Sequence, residues 1–241
     1  MQTLKPIIRW TIGDCATEGL EALRLSVNGI RKIFGDSVTL AICYNNIKPN
    51  KLPPVDLLIN QEEFSHTLPF PPPSIDDYSH TSFQEDNGAP AWKLYPPRLD
   101  INTHEILLDN DIILYQKPNA IDRFLNSLDI IVATEPLKRS YSDKYPVKDN
   151  FNINTGIMAY PPGFDLRAKI SAVLKEPWSN HFDEQTLIAS IIQNERVQII
   201  PITEVAVCPH DEPVQRGKCG VHLLGVNHGP SLNWRSYINI F

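Results

Sequence analysis

Cysteine is scarce in this chain: Cys15, Cys43, Cys208 and Cys219 are the four in 241 residues, and no two form a C-x-x-C pair. That spacing argues against a zinc site or a disulfide scaffold, and reduced, partly buried thiols are expected. Long apolar runs are missing as well. None approaches the ~20 residues needed to cross a bilayer, so no transmembrane segment is predicted. The N-terminus, MQTLKPIIRW, lacks the apolar stretch and small-residue cleavage site of a secretory signal. A cytoplasmic location is therefore expected. Positive charge is also in deficit: 22 Lys and Arg stand against 28 Asp and Glu, a formal net charge of −6. A nucleic-acid binder would normally carry a basic surface, and none is indicated.

Enough apolar residues are present to build a core: they make up 42% of the chain, with 21% charged. Proline is abundant. Its 21 copies include Pro53-Pro54, Pro71-Pro72-Pro73, Pro96-Pro97 and Pro161-Pro162, which favours ordered loops over a helical bundle. Short apolar runs alternate with helical patterns. Strands are predicted over 6–12, 38–43, 55–59, 105–108 and 129–133, with an amphipathic helix over about 18–34 closed near Gly35 and another over 120–125. Strands that are apolar throughout, alternating with helices, indicate an α/β protein with a mostly parallel sheet covered on both faces.

Further on, a strand over 154–160 ends at Pro161-Pro162-Gly163. Helices are expected over about 165–176 and from Asp183, where the acids suit the positive end of the helix dipole, and a strand over 197–200. The tail from Gly217, rich in Gly, His, Asn and Trp, is expected to lie outside the core. Between Gln61 and about Pro90 periodicity is lost. A loop that long is usually functional, and here it suggests a lid closing over a ligand. No linker or repeat divides the chain, so one domain over 1–241 is expected.

The strongest chemical signal is Ile106-Leu107-Leu108-Asp109-Asn110-Asp111-Ile112-Ile113-Leu114. Two carboxylates one residue apart, at the end of a buried strand, can reach a single hard cation at the carboxyl edge of the sheet, where α/β proteins bind ligands. The alternative is that Asp109-Asn110 forms the turn of a β-hairpin. The second signal is Val221-His222-Leu223-Leu224-Gly225-Val226-Asn227-His228-Gly229-Pro230, with Trp234 beyond. A neutral imidazole is a good ligand for Mn²⁺-type ions, and glycine lets backbone approach a phosphate closely.

With these residues in view, the chain resembles the GT-A-fold glycosyltransferases, and in particular the glycogenin and lipopolysaccharide-galactosyltransferase group. Asp109-x-Asp111 is similar to the D-x-D motif, and His222-x-x-Gly225-x-x-His228 to the tail H-x-x-G-x-x-K-P-W. The resemblance implies that His222 is the third protein ligand of Mn²⁺ or Mg²⁺ beside Asp109 and Asp111. It puts Gly225 and His228 near the donor diphosphate, although His228 stands where the group has lysine and Gly229 where it has the first proline. Asn154-Thr155-Gly156 resembles the N-x-G strand beside the sugar site, which brings in Asn154 and Gly156. Asp183-Glu184-Gln185 resembles the D-Q-D segment that holds sugar hydroxyls near the reacting carbon. Trp92 and Lys93 lie ahead of the metal strand, where such enzymes place a basic donor contact. Thr11, Gly13 and Asp14 end the first strand, where this fold binds the nucleotide.

The resemblance implies transfer of a sugar from a nucleoside-diphosphate sugar donor to a glycan, lipid or protein acceptor. Residues to about 115 would serve nucleotide and metal, and those from about 116 the acceptor and the metal-binding tail. Two alternatives remain. A nucleotidyltransferase is disfavoured by the segment Thr11–Glu18, which has one glycine and no Lys or Arg. A non-catalytic nucleotide-sugar-binding protein of the same fold is the other.

Overall fold

A computed structural model describes residues 4–72, 89–179 and 182–240. In chain order the strands and α-helices are β1 (Ile7–Ile12), α1 (Thr17–Phe34), β2 (Thr39–Tyr44), β3 (Leu57–Asn60), β4 (Glu105–Asp109), β5 (Ile112–Leu114), α2 (Asn119–Leu125), β6 (Ile131–Thr134), β7 (Asn154–Tyr160), α3 (Leu166–Val173), α4 (Asp183–Ile192), β8 (Val197–Ile200), β9 (Val205–Cys208), β10 (Gly220–Leu223) and α5 (Leu232–Ile240). The main sheet has the order β3-β2-β1-β4-β7-β6-β8. All its neighbours run parallel except β7, which is antiparallel to both β4 and β6.

Both faces are covered, which explains why the strands read as apolar without alternation. On one face Ile8, Trp10, Ile106, Leu108, Val132 and Ile157 pack under α1, through Leu23, Val27 and Ile30, and under α2, through Ile121 and Phe124. On the other, Leu107, Ala133, Met158 and Tyr160 pack against α3, α4 and Trp92, Leu94 and Tyr95. Helix α1 ends where expected: Gly35 has φ +53° and its N–H donates to Arg31 O, a left-handed closing position that glycine takes without strain.

One expectation needs correction, and one alternative drops out. The tail is not outside the core. It forms β10, which joins β5 and β9 in a second, three-stranded sheet, and Val221, His222, Leu223, Val226 and Trp234 are all buried. Its polar residues satisfied one another and the backbone: Asn233 Nδ2, fully buried, donates to Cys208 O and Leu224 O. The Asp109-Asn110 hairpin is also absent, because β4 belongs to the main sheet and β5 to the second. The segment from Gln61 to Pro90 contains a 3₁₀ turn over Gln61–Phe64 and enters another over Ala89–Leu94. Residues 73–88, on which the lid reading chiefly rests, lie outside the described residues. Among the described residues, no helix is long and apolar enough to cross a membrane.

Candidate active site

The chain passes from one sheet to the other at Asp109-Asn110-Asp111, so the two carboxylates stand at the junction. Asp109 ends β4, opposite Thr11 of β1 in register. β10 enters from the other sheet with His222 opposite Ile112, and Leu223 N donates to Asp111 O at 3.0 Å. The result is a compact ligand set. His222 Nε2 lies 3.3 Å from Asp111 Oδ1 and 3.8 Å from Asp109 Oδ2. One ligand atom from each of the three residues falls within 4.8 Å of the others. Among the described residues, Asp111 Oδ1 is buried with only the His222 ring, 3.3 Å away, to meet it. A buried carboxylate oxygen in that position is costly unless a cation is at hand. Two carboxylates and an imidazole are a donor set that could hold a divalent cation.

An irregularity in β7 completes the wall. Between β6 and β7 the register shifts, Ala133 pairing with Met158 but Thr134 with Asn154, and bulges of this kind re-aim side chains beside functional sites. Asn154 Oδ1 accepts from Gly156 N at 2.8 Å. Gly156 faces the His222 ring so closely that a Cβ there would stand 2.6 Å from Cε1 and 2.8 Å from Nδ1. Thr155 Oγ1 donates to Glu184 Oε2 at 2.9 Å, and Thr155 N donates to Gln185 Oε1 at 3.4 Å.

Lys93 bridges the two acidic groups. Its Nζ lies 3.0 Å from Asp109 Oδ1, 3.5 Å from Glu184 Oε2 and 3.2 Å from Thr155 Oγ1. Burial pushes the ammonium pKa down, but Asp109 and Glu184 outweigh it and hold the group charged. Glu184 is buried. Its pKa is raised above the ordinary carboxylate value by burial first, against the opposing pull of Lys93, with the Asp109 charge adding to the rise. For His222, burial favours the neutral ring, yet Asp111 and Asp109 prevail and raise its pKa.

The three residues opening α4 diverge. Only Glu184 reaches the Lys93 bridge. Asp183 turns to Ser179, whose N–H donates at 2.8 Å, and to Lys144 at 3.2 Å. Burial pushes the Asp183 carboxyl up, but those partners and Ser142 bring it below its usual value. Gln185 donates to Ser140 O at 2.7 Å. Trp92 packs in the core edge-on to Tyr95. Gly13 presses on Asn45, where a Cβ would meet Oδ1 at 2.7 Å, and Asp14 is exposed. Gly225 adopts φ +82° and opens the turn Val226–His228, which carries His228 at the surface.

Several residues of the site were not singled out in the sequence. Thr155 lies inside the Asn154-x-Gly156 string, and Asn110 between the two aspartates. Arg9 and Glu105 pair at 2.9 Å, both fully buried in adjacent strands. Arg9 also donates to the carbonyls of Lys93, Pro96 and Pro97 at 2.8–3.2 Å. Gln61 donates to Trp92 O at 2.6 Å and Tyr95 O at 2.8 Å, so both sides of the Lys93 segment are clamped. The available signal was a charge of each sign inside otherwise apolar strands.

No protein-family profile and no curated protein matches the chain. Solved structures do. The apo structure of the bifunctional glycosyltransferase WbbM superposes with TM-score 0.57 at 14% identity, covering 86% of this chain and 40% of that one. The chain thus spans less than half of that protein. An active-site mutant of LgtC gives TM-score 0.53 at 12% identity, covering 91% and 87% of the two chains. Galactosyltransferase LgtC in complex with donor and acceptor sugar analogs gives 0.51 at 13%, covering 83% and 75%. At such identities the likeness is one of architecture, and on that architecture the chain has a GT-A-like glycosyltransferase fold.

Proposed function

We propose that this chain is a glycosyltransferase that takes a sugar from a nucleoside-diphosphate donor, with Asp109, Asp111 and His222 holding a divalent cation, Mn²⁺ or Mg²⁺. The observation that carries the reading is the convergence of those three side chains at the junction of the two sheets, with Glu184 joined to them through Lys93. When bound, the cation would neutralise charge on the leaving diphosphate. The chain's own residues would do the rest. Thr11, Gly13 and Asp14 stand at the carboxyl edge, on the side where α/β sheets bind nucleotides. Gly225 and His228 present a tight turn toward the diphosphate. Asn154 and Gly156 border the sugar, and Gln185 and Asp183 brace the start of α4. Glu184 is the carboxylate assigned to the reacting centre. Its pairing with Lys93 and Thr155 fixes where it points. Trp92 packs beside Lys93 and holds its segment in the core.

We further assign the whole chain to one domain, with nucleotide and metal contacts before about residue 115 and acceptor contacts after it. The acceptor is a glycan, lipid or protein. The compartment proposed is the cytoplasm, consistent with four free thiols.

The test is thermal. Mn²⁺ with a nucleoside diphosphate should raise the Tm, because ligands of the native state stabilise it by mass action: about 2.7 kcal/mol at a hundred times Kd. Asp111→Asn should abolish the metal-dependent part and leave a folded protein. An equal response in the mutant would dismiss the cation site.

A further inference from the structure

The residue between the two aspartates makes a contact that the proposed chemistry does not require. Asn110, buried, and Asn227, in the tail turn, exchange amide hydrogen bonds: Asn110 Nδ2 donates to Asn227 Oδ1 at 2.6 Å, and Asn227 Nδ2 donates to Asn110 Oδ1 at 3.1 Å. They are 117 positions apart. Asn110 Nδ2 also donates to Gly19 O at 3.2 Å, and Asn227 O accepts from Ala16 N at 3.0 Å. Both asparagines are therefore tied to the first turn of α1. The fit is close. A Cβ on Gly19 would collide with Asn227 Oδ1 and stand 3.3 Å from its Cα. Glycine inside a helix costs about 1 kcal/mol relative to alanine, so the bare Cα there trades helix stability for room.

We propose that Asn110, Asn227 and Gly19 form a latch: a pair of positioning residues and the space for them, which holds the tail turn against α1 and so sets where His222 and Gly225 stand relative to Asp109 and Asp111. The inference rests on the cation reading for its consequence, though not for its geometry. Asn110 shares its backbone with both acidic residues. Asn227 follows His222 by five residues and Gly225 by two. The amide pair ties the Asp109–Asp111 junction to this turn through side chains. A mutually satisfied amide pair with Asn110 buried and Asn227 half-buried is specific: removing Asn227 leaves a buried donor and acceptor of Asn110 unmet, at roughly 1–3 kcal/mol. The latch also ties the turn that presents Gly225 and His228 to the helix following β1, so nucleotide and metal contacts would move together.

The experiment combines amide hydrogen exchange with Mn²⁺ titration on the full chain, using Asn110→Ala, Asn227→Ala, the double variant and Gly19→Ala. Each single variant should lower protection of the Ala16, His228 and Gly229 amides at least tenfold while the middle of α1 stays protected. The double variant should lose no more than either single, since both remove the same contact. Gly19→Ala should behave likewise although alanine favours the helix. Mn²⁺ Kd should rise at least fivefold in all four, with cooperative unfolding retained; a residue that only stabilised the fold would lower Tm and leave Kd alone. Unchanged exchange at His228 and Gly229 in Asn110→Ala and Gly19→Ala overturns the latch. So do fully additive losses in the double variant. If the wild type binds no Mn²⁺ yet the exchange effects appear, the cation reading fails and the latch stands.

Discussion

Gly156→Ala is the sharpest probe of the third ligand. The added methyl would lie 2.6 Å from His222 Cε1, 2.8 Å from Nδ1 and 2.7 Å from Asn154 Oδ1. Carbon atoms in contact prefer about 3.5–4.0 Å, so the neighbours must give by roughly 1 Å. The His222 backbone is held on both sides, by β5 and by β9, so the ring rather than the strand must turn. Turning it breaks the approach of Nε2 to Asp111 at 3.3 Å and Asp109 at 3.8 Å. Overpacking of this kind costs about 1–3 kcal/mol, and each kcal/mol lowers Tm by about 2–4 °C in a chain of this size. The effect on metal should be larger in proportion. Disturbing residues that merely orient ligands costs about 10–100-fold in affinity, and displacing a ligand should reach at least that range. Mn²⁺ titration at 25 °C, followed by calorimetry or by the free-ion electron-spin signal, reads the affinity, and circular dichroism confirms the fold. Adding His222→Ala to Gly156→Ala should then cause no further loss. A folded Gly156→Ala protein that binds Mn²⁺ within twofold of the wild type would refute the argument, because the imidazole would not then be a ligand.

Two further outcomes are expected. Lys93→Met removes a positive charge 3.0 Å from Asp109 and should tighten Mn²⁺ binding at least tenfold, from the Coulomb term at an effective dielectric of about 20, while lowering Tm because Glu184 loses its cation; weaker Mn²⁺ binding in calorimetry would show that Lys93 assists the metal rather than opposing it. Asp183 has a folded pKa below its unfolded value of about 3.9, so its stabilisation is complete above that value and is lost as pH falls through the folded one; the Tm gap between wild type and Asp183→Asn should shrink as pH drops from 6 toward 3, and a gap that widens would reverse the sign.

The local physics of this chain was legible from its residues. Short apolar runs marked β1, β2, β4 and β7, and β7 falls at Asn154–Tyr160 as expected, because Pro161 ends the run. Apolar spacing and Gly35 marked α1. The D-x-D string and His222 were visible as types of donor, and the structure brings them within 4.8 Å of each other. What no local pattern contains is a relation between segments far apart. The direction of β7 depends on its pairing with β4, about 50 residues earlier, and its bulge on Thr134 and Asn154 meeting. The tail looked polar because its Asn and His side chains are polar; His222 and Asn233 are buried and Asn227 half-buried because their partners, the two aspartates, Cys208 O and Asn110, come from other parts of the chain. Glu184 and Asp183 read alike as acids at a helix start, and tertiary packing separates them by pointing one at Lys93 and the other at Lys144. Residue type and spacing thus determined which chemistry was on offer. Long-range pairing, in which a buried charge or amide is stable only beside its partner, decided which residues share a site.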